Sequence, residues 1–113
     1  MNTEQYTSAF HYFQSAISLK GDFANSYMYL GICLHKLGDF DNSQQAFKKA
    51  IDLDSNDCTV YLNYAIILYN NGKKERAKDI FKEAEKIFTT LDEDEKEPEM
   101  LDQRSVLMEM LGI

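Results

Sequence analysis

The chain has 113 residues, 44% of them apolar, and a net charge of −7. That is enough for one domain or a piece of one. It has too few glycines and prolines for a low-complexity segment, and its charge has the wrong sign for holding nucleic acid by its phosphates. No apolar run reaches the roughly 18 residues a membrane helix needs, and the start, MNTEQYTS, lacks the basic-then-apolar pattern of a secretory signal. No direct membrane insertion is expected.

Taken in order, Tyr6, Ala9, Phe10, Phe13, Ala16 and Ile17 recur at three- and four-residue spacing and predict a helix over about 3–20, with Gly21 as its stop. A second helix, about 24–37, is apolar nearly all round, and Gly38 then turns the chain. A third, about 40–53, puts Ala46, Phe47, Ala50 and Ile51 on one face, with Lys48 and Lys49 outside. Asp54-Ser55-Asn56-Asp57 is a turn with capping side chains. A fourth helix, about 58–70, is again broadly apolar and ends at Asn70-Asn71-Gly72. A fifth runs from about Lys74 into Phe88. Its inward residues are Ala77, Phe81, Ala84 and Ile87, and Glu75–Lys78, Asp79–Lys82 and Glu83–Lys86 pair on its outer face. Asp92 to Glu99 reads DEDEKEPE and carries −5 of the net charge, which suits a solvated linker. Pro98 fits a first helical turn, and a sixth helix follows with Met100, Leu101, Leu107, Met108 and Leu111 apolar.

These helices are copies of one another. Phe13, Phe47 and Phe81 are spaced by 34 residues, as are Ala16, Ala50 and Ala84, and Leu19, Leu53 and Ile87; Tyr27 answers Tyr61 and Gly38 answers Gly72. A fixed period of this length marks an all-α solenoid of antiparallel helix pairs, in which no unit buries its apolar face alone. The organisation expected is a half repeat (3–23), two repeats (24–57 and 58–91), an acidic linker (92–97) and a final helix (98–112), together a piece of a longer solenoid. Tyr6, Phe10 and Phe13 then sit at an exposed solenoid end. They would be covered by missing repeats, a foreign subunit or a second copy.

The chemistry-bearing residues form no constellation. Cys33 and Cys58 lie inside apolar helices and read as reduced, packed thiols of an intracellular protein. His11 and His35 have no further ligands at metal-site spacing. There is no glycine-rich phosphate loop and no nucleophile motif. No enzyme activity, cofactor or metal is expected.

The order Tyr27-x2-Leu30-Gly31-x2-Leu34, then Gly38, Ala46-Phe47 and Ala50, resembles the tetratricopeptide repeat (TPR) family. Tyr61, Tyr64-Ala65, Leu68, Gly72, Ala77, Phe81 and Ala84 repeat it, and Ser55 stands where the family carries proline. The resemblance covers about residues 3–90 and implies a superhelix whose concave groove is lined by the first helix of each pair. Here that lining would be Asn25, Met28, Ile32, His35 and Lys36, then Thr59, Leu62, Asn63, Ile66, Tyr69 and Asn70. Its apolar centre suits a partner's helix or extended segment; cover by the chain's own next turn is the competing reading.

The stretch Leu62–Lys73, with the long fifth helix and acidic insert, also resembles the last repeats of a TPR subunit of a ciliary membrane-cargo coat. That implies other complex subunits as partners and a setting of cytoplasm, basal body and cilium. The alternative is a co-chaperone-type TPR adaptor that clamps a partner's peptide tail. Of that clamp only Asn63 matches, while Met28 and Ile32 replace a lysine and an asparagine, so a carboxylate would lack a charged partner.

Overall fold

A computed structural model of the chain describes residues 24–54 and 56–113; the helix expected over 3–20 lies outside them. By its contacts the chain divides into two compact units, residues 1–55 and 56–113.

In the first unit α1 (Ala24–Lys36) and α2 (Phe40–Leu53) pack against each other. The turn between them is Leu37-Gly38-Asp39. Gly38 adopts φ 86°, a left-handed conformation that costs a side-chain-bearing residue about 1–2 kcal/mol. Asp39 then caps α2, its carboxylate accepting from the Asn42 amide at 3.2 Å. α2 is strongly two-faced. Ser43, Ala46, Phe47 and Ala50 are buried, at three- and four-residue spacing, which is the one-sided stripe that makes a surface helix dock.

In the second unit α3 (Cys58–Asn70) packs on α4 (Lys74–Phe88), and α5 (Pro98–Leu111) packs on both. Asp57 caps α3 by accepting from the Thr59 amide at 3.0 Å. α3 buries Cys58, Val60, Tyr61, Leu62, Tyr64, Ala65, Ile67 and Leu68. A helix with neighbours on two sides needs apolar residues nearly all round, and α3 has them. α4 buries only Ala77, Phe81 and Ala84, and two of its three expected ion pairs form, Lys78–Glu75 at 3.9 Å and Lys86–Glu83 at 3.2 Å.

The acidic stretch is not featureless. Glu93–Glu95 forms a 3-10 turn, and the Asp92 amide donates to Glu95 Oε1 at 3.0 Å in a reciprocal capping box. Pro98 opens α5, where a missing amide costs nothing. Only Leu107 and Leu111 of α5 are buried.

Candidate partner-binding faces

On α1, the residues expected to face a partner fall on one stripe. Asn25 and Lys36 are exposed, and Ile32 and His35 are half-buried. Met28 is only 3% exposed. Burial first, and Lys36 second, hold the His35 imidazole below its usual pKa.

On α3 the corresponding stripe is Thr59, Asn63, Ile66 and Tyr69, all half-buried, with Asn70 exposed. Leu62 is fully buried. The expectation that Leu62 faces the surface is therefore corrected, and Met28, expected at the groove centre, is buried as well. The helix that carries Leu62 has a second neighbour that the repeat register does not foresee, α5. The same helix engages the neighbouring position, Gln103 Nε2 donating to Asn63 Oδ1 at 3.3 Å while Asn63 Nδ2 donates to the Thr59 carbonyl at 3.0 Å. The one clamp-type residue in the chain is thus tied into the chain's own bonding. Tyr6, Phe10 and Phe13 lie outside the described residues.

Three features escape sequence reasoning. One is a depression of about 430 Å³ in the first unit, lined by Tyr27, Leu30 and Leu34 of α1 and Asn42, Gln45 and Lys49 of α2. At 100° per residue it sits on the opposite side of α1 from Ile32. The second is a charged lock on α5. Arg104 forms a two-pronged pair with Glu85, Nη2 to Oε2 at 2.8 Å. It also lies 4.4 Å over the Phe88 ring, against which Lys96 packs at 4.7 Å. Partners 19 residues apart leave no local signal. The third is Cys58, whose thiol donates to the Ala84 carbonyl at 3.5 Å and is pushed up to about 11, by burial first and then by Glu85 and Asp57.

Among the described residues, no cluster of His, Cys, Asp and Glu could hold a metal ion, and no helix is long and apolar enough to cross a membrane.

Comparison with known proteins agrees with this geometry. Tetratricopeptide-repeat family models match residues 24–57 and 46–79. The BBSome complex member BBS4 of Xenopus tropicalis is 38% identical over 109 residues, 95% of this chain and 21% of that protein. The mouse counterpart is 38% identical over 86 residues, 76% of this chain and 16% of its own length. The chain thus spans about a fifth, or less, of the curated relatives it matches. Among solved structures, the Yersinia enterocolitica type III secretion chaperone SycD, in complex with a peptide of the translocator YopD, superimposes with a TM-score of 0.80 at 18% identity, covering 96% of this chain and 79% of the chaperone. A type III secretion complex from Aeromonas hydrophila gives 0.77 at 21% identity, over 96% of this chain and 69% of the other. At those identities the structural likeness carries the fold alone. With paired helices, a glycine turn in each unit and family models spanning both units, the chain is a tetratricopeptide-repeat protein, similar along most of its length to part of BBS4.

Proposed function

We propose that this chain is a protein–protein interaction scaffold, an assembly segment of a BBSome-like ciliary trafficking complex that acts in the cytoplasm and at the basal body and cilium. The observation that carries this reading is the 38% identity to BBS4 across 95% of the chain. Its partners are other protein subunits, met through apolar contacts rather than through nucleic acid, cofactor or metal. The half-buried Ile32 of the first unit and Ile66 of the second are the contact points, each at the centre of its helix stripe. The clamp alternative is weaker, because Met28 is buried where a lysine would have to reach a carboxylate. The expected organisation, with two repeats, an acidic linker and a final helix in a longer solenoid, belongs to this proposal, as does self-association through Tyr6, Phe10 and Phe13.

The test is capture of BBSome subunits from ciliated-cell extract on the tagged chain. Ile32→Glu with Ile66→Glu should remove the subunits while leaving the helical circular dichroism intact. Leu62 is unsuitable for that test, since a buried glutamate there would unfold the unit. Capture should persist in salt that screens exposed ion pairs. Capture that survives the double variant, or no subunit captured by the native chain, would sink the reading.

A further inference from the structure

Both units turn from their first helix to their second over the same backbone. Gly38 and Gly72 have φ of 86° and 77°. The amide after each returns to the carbonyl five residues before it, Asp39 to Leu34 and Lys73 to Leu68, each at 2.9 Å. The residue ahead of the glycine differs: Leu37 in the first unit, Asn71 in the second. The turn is therefore indifferent to that side chain, whereas its glycine is fixed by the positive φ. Asn71 is the asparagine of this sequence that precedes a glycine.

An asparagine so placed carries its own electrophile and meets its own nucleophile. A bond from the Gly72 nitrogen to Asn71 Cγ closes a five-membered ring, and glycine offers that nitrogen with no Cβ in the way. Gly72 is exposed, and nothing lies within 4 Å of where a Cβ would stand on it, so water and base reach the nitrogen. The steps balance with water as the sole reagent. The Gly72 nitrogen gives up its proton and attacks Cγ; the Cγ–Nδ2 bond breaks, and ammonia leaves with that proton. Water then opens the cyclic imide. Cleavage between the nitrogen and Cγ leaves aspartate. Cleavage between the nitrogen and the backbone carbonyl carbon leaves isoaspartate, with the main chain running through the side chain.

The fold holds both reacting groups. The Gly72 amide donates to the Tyr69 carbonyl at 3.0 Å, and Asn71 Nδ2 donates to the Ile67 carbonyl at 2.8 Å. Ring closure turns the Gly72 nitrogen onto Cγ and expels Nδ2, so both bonds must break and the reaction proceeds from the opened turn. The product cannot restore what was lost. A carboxylate has no hydrogen for the Ile67 carbonyl, and it sets negative charge at the C-terminal end of α3, where the last carbonyls point. Isoaspartate also lengthens the main chain and puts the Lys73 to Leu68 bond out of register.

We infer that Asn71-Gly72 is a modification site of this chain, a spontaneous deamidation that is gated by opening of the α3–α4 turn and that loosens the second unit once it has occurred. The first unit, with Leu37 at this position, has no counterpart. The inference does not involve Ile32 or Ile66 and stands or falls apart from the proposed function.

The test ages the full chain in mildly alkaline buffer at body temperature, with and without denaturing guanidinium. The tryptic peptide 50–73 is followed by mass spectrometry, with fragmentation to place the change. Conversion of amide to acid is expected at Asn71, as aspartate and isoaspartate together, and about tenfold or more faster in guanidinium than in buffer. Asn71→Leu, which copies the turn of the first unit, should abolish it with circular dichroism unchanged. Asn71→Asp reports the effect of the product without ageing and should unfold at a lower urea concentration than the native chain. The inference is overturned by no conversion at Asn71 in buffer, by equal rates in buffer and guanidinium, by conversion chiefly at another asparagine, or by an Asn71→Asp chain as stable as the native one.

Discussion

In the first helix pair the Gly31 carbonyl accepts a 2.6 Å hydrogen bond from the buried Ser43 hydroxyl, and the Phe47 ring lies on the space where a Cβ would be. In the second pair the same two positions are Ala65 and Ala77, both fully buried, and Phe81 stands where the first pair has Phe47. The aromatic ring is constant and the floor under it changes as a set. Glycine accompanies a hydroxyl, which must be bonded if it is to be buried without penalty and so draws the helices together. Alanine accompanies alanine, two buried methyl groups in place of a bare backbone and a hydroxyl. The fold requires a close crossing, and either chemistry supplies it as long as both partners agree.

The comparison breaks hardest at what the pairs share. Phe47→Ala and Phe81→Ala each remove a ring at 0% and 3% exposure and should cost about 3–5 kcal/mol in chemical denaturation. A loss below about 1 kcal/mol would mean that the ring does not hold its pair together. The next effect lies in what they do not share. Gly31→Ala places a methyl 2.7 Å from Phe47 and 3.2 Å from the Ser43 carbonyl oxygen. The ring is enclosed and the oxygen is backbone, so neither can move cheaply. Overpacking of about 1–3 kcal/mol outweighs the up to about 1 kcal/mol that alanine gains as a helix former. Ser43→Ala alone should cost about 1 kcal/mol. Gly31→Ala with Ser43→Ala recreates the floor of the second pair and should cost less than the two singles added, a coupling that a double-mutant cycle reads directly. Strict additivity would show that the two floors are unrelated.

What was legible in the sequence follows the same division. α2, α3 and α4 occupy the spans that spacing predicts, because their boundaries are set locally by Gly38, Asp39, Asp57 and Gly72. The inward set Ala46, Phe47, Ala50, Ala77, Phe81 and Ala84 was legible for the same reason: a two-faced helix declares which side it buries. Leu62 was not, because α3 is apolar on every side and its periodicity cannot say which residues meet a second neighbour. The Arg104–Glu85 pair joins residues 19 apart, and only the packed structure brings them together.

The last effect sharpens the comparison through the two cysteines, one in each unit. Cys33 and Cys58 are both buried, at 6% and 3% exposure, and burial raises both thiols above their ordinary value. Cys58 has more against its ionisation. Glu85 and Asp57 add negative potential that Arg104 offsets in part, and the thiol rises to about 11 from 9.0. In the unfolded chain it ionises near 9, whereas in the folded chain it keeps its proton to about 11. The stability this contributes is fully present below pH 9 and is lost as pH rises towards 11, with a slope of at most about 1.4 kcal/mol per pH unit. Other groups titrate there too, so the measurement is the difference in unfolding free energy between the native chain and Cys58→Ala, taken in urea across pH 8 to 12 on the order of half a unit at a time. That difference should be level up to pH 9, fall through the window and level off again. The Cys33→Ala difference should have the same sign. A Cys58 difference that stays level throughout would mean the thiol ionises as readily folded as unfolded, and that the N-terminal turn of α3 is not closed over by α4.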